Sequence, residues 1–593
     1  MADIKKPKVD AVVVGMGWTG AIMSIELAAA GLNVVALERG ENRDSASFAY
    51  PKVADELSYV QRSKLMQSLA RETVTIRHTA QDEALPLRQY GAFLFGDGVG
   101  GSGVHWNGFT YRATDADLKI RSHYEARYGK NFIPADMTIQ DWPVTVAELE
   151  PFYDQFEYMA GTSGQAGNVQ GQLIAGGNPL EAPRSRNYAL PPLPTAYPAQ
   201  LFDKAARDLG YHTYPTPASI ASKAYTNPYG MEMGPCNFCG YCELFGCYMY
   251  SKASPLACIV PALLRKPNFE LRDRSQVVRV NLDAGGKRAT GVTYIDAQGR
   301  TVEQPADIVA LCAYQMHNVR LLLLSGIGKP YDPVTGEGTV GKNYAYQKNS
   351  KLPLFFDKDV AINPFIGSGA GGVVYDDFNA DNFDHGPLNF VGGAITFVAV
   401  TGGRPIAQAA VPPGTPKWGS GWKKSLKDHY LHSFSIATQG SVMSYRDNYL
   451  DLDPTYKDAY GQPLLRMTFD WKDNEGKMTQ FVSQKAAEVG RAMNPAPKLV
   501  TMNAGKVGDH FDTGPYQSTH TTGGAIAGDR PDNSVVNKYL QSWDVPNVFV
   551  AGACAFPQNL GINPTGTIGA MTYMATKAIR EVYLKNPGPL VQA

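Results

Sequence analysis

The apolar positions near the start of the chain change period twice. Residues Val9 to Val14 are a short β-branched run, apolar apart from Asp10, which predicts a buried strand. From Trp18 to Ala30 the period lengthens: Ile22, Ile25 and Ala29 share one helical face, and Gly31 supplies a C-terminal cap. A second short run, Asn33 to Leu37, predicts another strand and ends in Glu38. Farther along, Leu464 to Trp471 alternates as a strand of an antiparallel sheet does. A final helix is expected to open at Gly561 to Gly566 and to run through Ala578. Leu190 to Pro198 is Pro-rich and reads as an exposed connector. No uninterrupted apolar stretch reaches about 18 residues, so no transmembrane helix is expected.

Composition narrows the class. A chain of 593 residues is too long for one hydrophobic core, so at least two lobes are expected. With 44% hydrophobic and 19% charged residues it reads as globular. A formal net charge of zero argues against nucleic acid or an anionic membrane surface as the main partner. Met1 to Asp10 is polar and basic and has no apolar core, so it is not read as a secretory signal.

Between the first strand and helix stands Gly15-Met16-Gly17-Trp18-Thr19-Gly20, a G-x-G-x-x-G match, and Glu38 follows Gly20 by 18 residues. Gly15, Gly17 and Gly20 would permit a tight turn and a close approach to a pyrophosphate at the helix N-terminus. Glu38 would accept hydrogen bonds from ribose hydroxyls. The motif alone does not separate NAD from FAD. A second Gly-rich stretch, Gly96 to Gly108, gives the flexible backbone that a second approach to a bulky cofactor needs; a long surface loop is the other reading.

Four of the seven cysteines crowd into twelve residues: Cys236, Cys239, Cys242 and Cys247, spaced C-x2-C-x2-C-x4-C. One dense run suits an iron–sulfur cluster. Zinc is the runner-up, although its sites more often come as two separated pairs. Cys258, Cys312 and Cys554 sit alone in apolar surroundings and read as core residues.

These motifs resemble those of the glucose-methanol-choline (GMC) oxidoreductases. Gly100, Gly101, Ser102 and Asn107 match the family's G-G-S-x-x-x-x-N stretch along the flavin, and Ser325-Gly326-Ile327-Gly328 ends a second signature. The upstream half of that signature departs, with Tyr314, Gln315, Asn318 and Val319 where small residues and Ser-Pro are usual. Residues 547–557 are similar to the strand that returns to the flavin, with Ala553 where Asp is frequent; Thr565 follows in the final helix. Longer stretches (Gly230 to Ser254, Asp381 to Gly393 and Tyr449 to Pro454) resemble the membrane-bound gluconate 2-dehydrogenase branch, nearly end to end.

The resemblance implies an α/β chain, α+β overall. A Rossmann-type FAD lobe (1–120, 225–335 and 535–593, with the Fe–S loop at 234–250) would interleave with a substrate lobe on an antiparallel sheet (121–224 and 336–534). It implies FAD, with His105 as a candidate for a covalent flavin link, and a 3Fe–4S cluster in preference to 4Fe–4S. Three ligands would then be Cys236, Cys242 and Cys247, with Cys239 spare. Of the ten histidines, His520 matches the catalytic base and Asn563 its hydrogen-bonding partner. His317 and His510 read as structural. The implied activity is oxidation of a secondary hydroxyl of a sugar acid, D-gluconate to 2-keto-D-gluconate. Alternatives are a 2-ketogluconate, sorbitol or glucoside dehydrogenase, or a non-catalytic electron-transfer subunit. The implied partners are a small subunit carrying an export signal and a multihaem cytochrome c subunit. Together they would hold the chain at the periplasmic face of the inner membrane.

Overall fold

The computed structural model describes residues 3–43, 65–88, 91–402 and 410–592. The N-terminal pattern folds as its periods require: strand β1 is Val9–Val14, helix α1 is Trp18–Ala29, and strand β2 is Val34–Leu37. Gly31 adopts φ +90°, the left-handed turn that lets the chain leave the helix.

Four later strands complete the main sheet: β3 (Phe269–Arg272), β4 (Gln276–Leu282), β5 (Ala289–Ile295) and β6 (Thr301–Leu311). The order runs β3-β2-β1-β6-β5-β4, and the short strand Ile4–Lys5 and Val548–Val550 also pair with β6. Two architectures share this sheet. β3, β2, β1, the end of β6 and Val548–Val550 are parallel, whereas β6, β5 and β4 form an antiparallel meander. β6 serves both because its 11 residues are long enough for two sets of neighbours. Parallel strands bury both faces, and Ala11, Val12, Val13, Val34, Val35, Ala36, Val548 and Phe549 are all at most 2% exposed.

A second sheet is antiparallel and six-stranded, in the order Leu499–Val500, Lys348–Phe355, Ser433–Gly440, Ala394–Val398, Val373–Tyr375 and Tyr214–Pro215. Alternation gives it two distinct faces. Leu352, Leu354 and Ile436 enter a separate core with Ala486, Ala487 and Val489 of the helix Asp473–Ala492. The odd-numbered residues Asn349, Lys351, Ser435, Ala437 and Gln439 line a cavity.

Two expectations need correction. The strand expected over Leu464 to Trp471 is Pro463–Thr468, and it lies in a small mixed sheet, antiparallel to Tyr449–Lys457 but parallel to Val74–Arg77. It stops early because the Asp470 carboxylate takes the amides of Trp471 and Phe511 and turns the chain toward the next helix. The Pro-rich stretch is not a free connector either, since Leu190 and Leu193 are buried in the main core. The final helix is Thr565–Ala578. Among the described residues, no helix is long and apolar enough to cross a membrane.

Candidate functional site: a cavity at the strand ends

A parallel sheet leaves its crevice beyond the carboxyl ends of its strands. The cavity lies there and has a volume of about 460 Å³. Its wall includes Val14 and Gly15 at the end of β1, Leu37 and Glu38 at the end of β2, Cys312 and Ala313 after β6, and Ala551, Gly552 and Ala553 after Val548–Val550. Gly101, Ser102, His105, Asn107, Asn563 and Thr565 also line it.

The glycines divide by task. Gly15 has φ +91°, and a Cβ there would lie 2.7 Å from the Cys312 carbonyl oxygen. A Cβ on Gly20 would lie 1.8 Å from the Gly15 carbonyl oxygen; this glycine does not line the cavity but lets α1 pack on the turn. Gly17 is different. It has φ −75°, which any residue tolerates, and its Cβ would meet no protein atom within 4 Å. Neither backbone nor packing demands glycine at 17, so the space it leaves is room for a ligand. The end of α1 beside it has no side-chain cap and no acid in its first turn, so its amides are available to an anion. Gly100 also stays outside the cavity wall: its φ is +96° and its amide bonds the Met16 carbonyl at 2.7 Å, joining the two Gly-rich loops.

Glu38 is 6% exposed. Burial pushes its carboxyl above the usual range, opposed by the amides of Gly40 and Met16, each 2.9 Å from one oxygen. His317, also on the cavity wall, is tied to Glu72 at 3.0 Å and to Gln67 at 3.0 Å, away from His520. Exposed His510 pairs with Asp470 at 2.5 Å, which lifts its pKa above the ordinary histidine value.

The reacting end is built by side chains from four distant stretches. Gln347 donates from Nε2 to the carbonyls of Leu560 (2.9 Å) and Ile562 (3.1 Å), which aims its Oε1 at His520. His520 Nδ1 donates to that oxygen. One tautomer is thereby selected, with the proton on Nδ1 and Nε2 left as the acceptor, which takes a hydrogen bond from Asn563 Nδ2. Asn563 Nδ2 stands 3.4 Å from that Nε2, and Gln439 Nε2 holds Asn563 Oδ1 at 2.9 Å. Burial pushes the His520 pKa down to about 3, so the imidazole is neutral over the physiological range. His520 and Asn563, 43 positions apart, therefore meet as the sequence reading expects, while Gln347 and Gln439 carry no motif and escaped it.

The departures at 314–318 have a structural use. Tyr314 Oη donates to the Thr519 carbonyl at 2.9 Å, and Gln315 Nε2 to the Gly523 carbonyl at 2.7 Å, so both clamp the segment that carries His520. Asn318 accepts the Ala313 amide at 2.8 Å and donates to the Ala551 carbonyl at 3.1 Å, joining two strand ends.

The cysteine loop abuts the cavity wall at Glu243. It is stapled to the stretch around His105 by the Leu244 amide, 2.7 Å from the His105 carbonyl. Buried Lys252 adds a second staple through the carbonyls of Trp106, Cys242 and Phe245, at 2.5, 2.6 and 2.7 Å. All seven cysteines are free thiols. Each sulfur of the run receives one backbone amide: Phe238 to Cys236, Tyr241 to Cys239, Gly369 to Cys242, and Lys252 to Cys247. Burial raises the Cys236 thiol and pushes Cys239 and Cys242 up to about 11 and about 12, with mutual repulsion adding to it. Each sulfur thus has an aimed backbone donor, but the four do not converge tightly enough to frame a single ion: among the described residues only His78, Asp470 and His510 bring three ligand atoms within 4.8 Å of one another.

Comparison with known proteins identifies the family. Family models described as GMC oxidoreductase match residues 194–348 and 444–572. The gluconate 2-dehydrogenase flavoprotein of Pantoea cypripedii is 58% identical over 99% of this chain and 96% of its own. The fructose dehydrogenase large subunit of Gluconobacter japonicus is 23% identical, covering 96% and 97%. Among solved structures, pyridoxine 4-oxidase from Mesorbium loti superposes with a TM-score of 0.58 at 15% identity, covering 96% and 98%. This chain belongs to the GMC oxidoreductases and is an FAD-dependent oxidoreductase acting on CH–OH groups.

Proposed function

We propose that the protein oxidises the secondary hydroxyl of a sugar acid, D-gluconate to 2-keto-D-gluconate, with His520 as the base and Asn563 as the hydrogen-bond donor to the reacting oxygen. The observation that carries this reading is the fixed tautomer of His520, which presents a neutral, proton-accepting Nε2 beside the Asn563 amide on the cavity wall. A hydroxyl placed between them would give its proton to Nε2 while its oxygen is held by the Asn563 amide. Gln347 and Gln439 keep both groups oriented, so little reorganisation is needed when substrate arrives.

Gly15, Gly17, Glu38, Gly101, Ser102, His105, Asn107, Ala553 and Thr565 would hold FAD, which supplies the hydride acceptor. Gly20 and Gly100 would shape the turns that admit it. His105, buried on the cavity wall, is the position for a covalent link. Cys236, Cys242 and Cys247, with Cys239 as the spare or fourth ligand, would hold an iron–sulfur cluster that carries electrons singly. The double staple between the cysteine loop and residues 105–106 supports a short path between the two groups. The name of the 58% identical relative, a gluconate 2-dehydrogenase flavoprotein, supports the substrate class. We assign the onward acceptor to a cytochrome c subunit and export to a small signal-bearing subunit, which places the chain at the periplasmic face of the membrane. The 1–120, 225–335 and 535–593 stretches form the FAD lobe in this reading and the remainder the substrate lobe.

The test is anaerobic bleaching of the flavin band against a panel of D-gluconate, 2-ketogluconate, sorbitol and glucosides. The reading expects the fastest bleaching with D-gluconate; faster bleaching with a neutral sugar would overturn the sugar-acid assignment.

A further inference from the structure

Outside the cavity wall, His78, Asp470 and His510 each bring a ligand atom within 4.8 Å of the other two. They come from three separate stretches. His78 directly follows the strand Val74–Arg77, Asp470 stands two residues beyond the strand Pro463–Thr468, and His510 lies on the segment that leads to His520. His510 is exposed and the other two are half-buried. The two imidazoles stack, with ring centroids 5.2 Å apart and planes at 17°. An ion pair alone does not account for this grouping: Asp470 needs one imidazolium as its partner, and a second ring stacked on that cation gains nothing from it.

The surroundings hold these donors ready. His78 Nε2 stands 2.9 Å from the Phe511 carbonyl, which can only accept, so the proton sits on Nε2 and Nδ1 keeps its lone pair. A carbonyl behind the ring is the usual way a metal-binding imidazole is oriented. One oxygen of Asp470 is fixed by the amides of Trp471 (2.9 Å) and Phe511 (2.7 Å), and the other faces His510 Nδ1 at 2.5 Å. Asp82 and Asp509 also face His510, so the local field is negative. Lys348, whose ammonium faces Asp470, faces Asp509 and Glu475 as well. Donors about 2.1 Å from a tetrahedral ion lie about 3.4 Å apart. The exposed His510 ring has room to open to that spacing.

We propose that His78, Asp470 and His510 form a structural site for a divalent transition metal, zinc foremost, with water completing the shell. Two imidazoles and a carboxylate are a donor set that such ions take, whereas calcium and magnesium prefer oxygen alone. The ion replaces the proton that His510 and Asp470 share. Phe511, the next residue, is buried among Phe93, Tyr346, Phe469 and Trp471. Tyr346 Oη in turn donates to the Ser518 carbonyl at 2.8 Å. A cation here therefore ties the base of the segment 510–520, which ends in His520, to the ends of two strands.

The experiment is equilibrium dialysis of zinc against chelator-treated holoenzyme for the wild type, His510→Ala and His78→Ala, followed by thermal melts and zinc-edge X-ray absorption. The wild type should bind one more equivalent than either variant, in which affinity at this site should fall by about a hundredfold or more. Zinc should raise the wild-type Tm by about 2 °C or more and leave that of His510→Ala unmoved. The absorption edge should show nitrogen and oxygen at about 2.0–2.1 Å and no sulfur. His510 is exposed, so His510→Ala decides the matter even where His78→Ala does not fold. Equal zinc uptake by the wild type and His510→Ala would overturn the site. So would a sulfur shell near about 2.3 Å, which would put the metal on the cysteine run instead. Zinc bound with no shift in the melt would overturn the structural role.

Discussion

The two ends of the cavity achieve recognition by opposite means. At the nucleotide end the chain offers backbone: glycines that keep space empty, uncapped amides at the start of α1, and one buried carboxylate, all within residues 15–38. At the reacting end it offers side chains, with Gln347, Gln439, His520 and Asn563 drawn from four stretches and joined by amide hydrogen bonds. The first end is spoiled by adding atoms; the second is spoiled by removing them.

Substitutions can break that contrast in a ranked way. The largest effect belongs to Gly20→Ala, because the new methyl would sit 1.8 Å from a backbone oxygen that cannot move freely. It should cost more than about 3 kcal/mol, at the upper end for overpacking, and yield little folded protein in a thermal melt. Gly17→Leu, three residues away, should do something else: the apoprotein melts normally, while the affinity of the apoprotein for added FAD, read by equilibrium titration, falls by the equivalent of about 1–3 kcal/mol. A Gly17→Leu apoprotein that takes up FAD as tightly as the wild type would show that the open space is not the cofactor's. Gln347→Leu comes next. It removes the acceptor that fixes the His520 tautomer, and kcat/KM should fall by about tenfold to a hundredfold with FAD content unchanged.

The smallest effect is on pH. The folded pKa of His520 is depressed to about 3 from an ordinary value near 6.5. Above the ordinary value the native state suffers no penalty; as pH falls from there toward about 3 the unfolded chain takes up a proton that the native site refuses, and stability is lost. Denaturant midpoints near pH 7 and near pH 5 should therefore drop more for the wild type than for His520→Gln.

The contrast also explains what could be read in advance. The nucleotide end was legible because G-x-G-x-x-G, the change of period and Glu38 all sit within one short stretch, where local geometry decides. The pairing of His520 with Asn563 was legible only through a resemblance, since nothing local brings residues 43 positions apart together. Gln347 and Gln439 were not legible at all. A glutamine in a strand carries no motif, and its meaning comes from the register that sets Asn349 against Gln439. Tyr314 and Gln315 look like departures from a signature, yet they clamp the segment bearing His520. The end of the strand near Thr468 was misjudged because a single carboxylate, Asp470, diverts the backbone where the alternation of side chains continues.

The central claim is that His520, held in one tautomer, is the group that takes the hydroxyl proton. Its most direct test is the rate of anaerobic flavin reduction by D-gluconate in His520→Ala. The account predicts full FAD content and a rate lower by about 10²–10⁴, the usual contribution of a positioned general base. Reduction at the wild-type rate in a flavin-replete His520→Ala protein would contradict it.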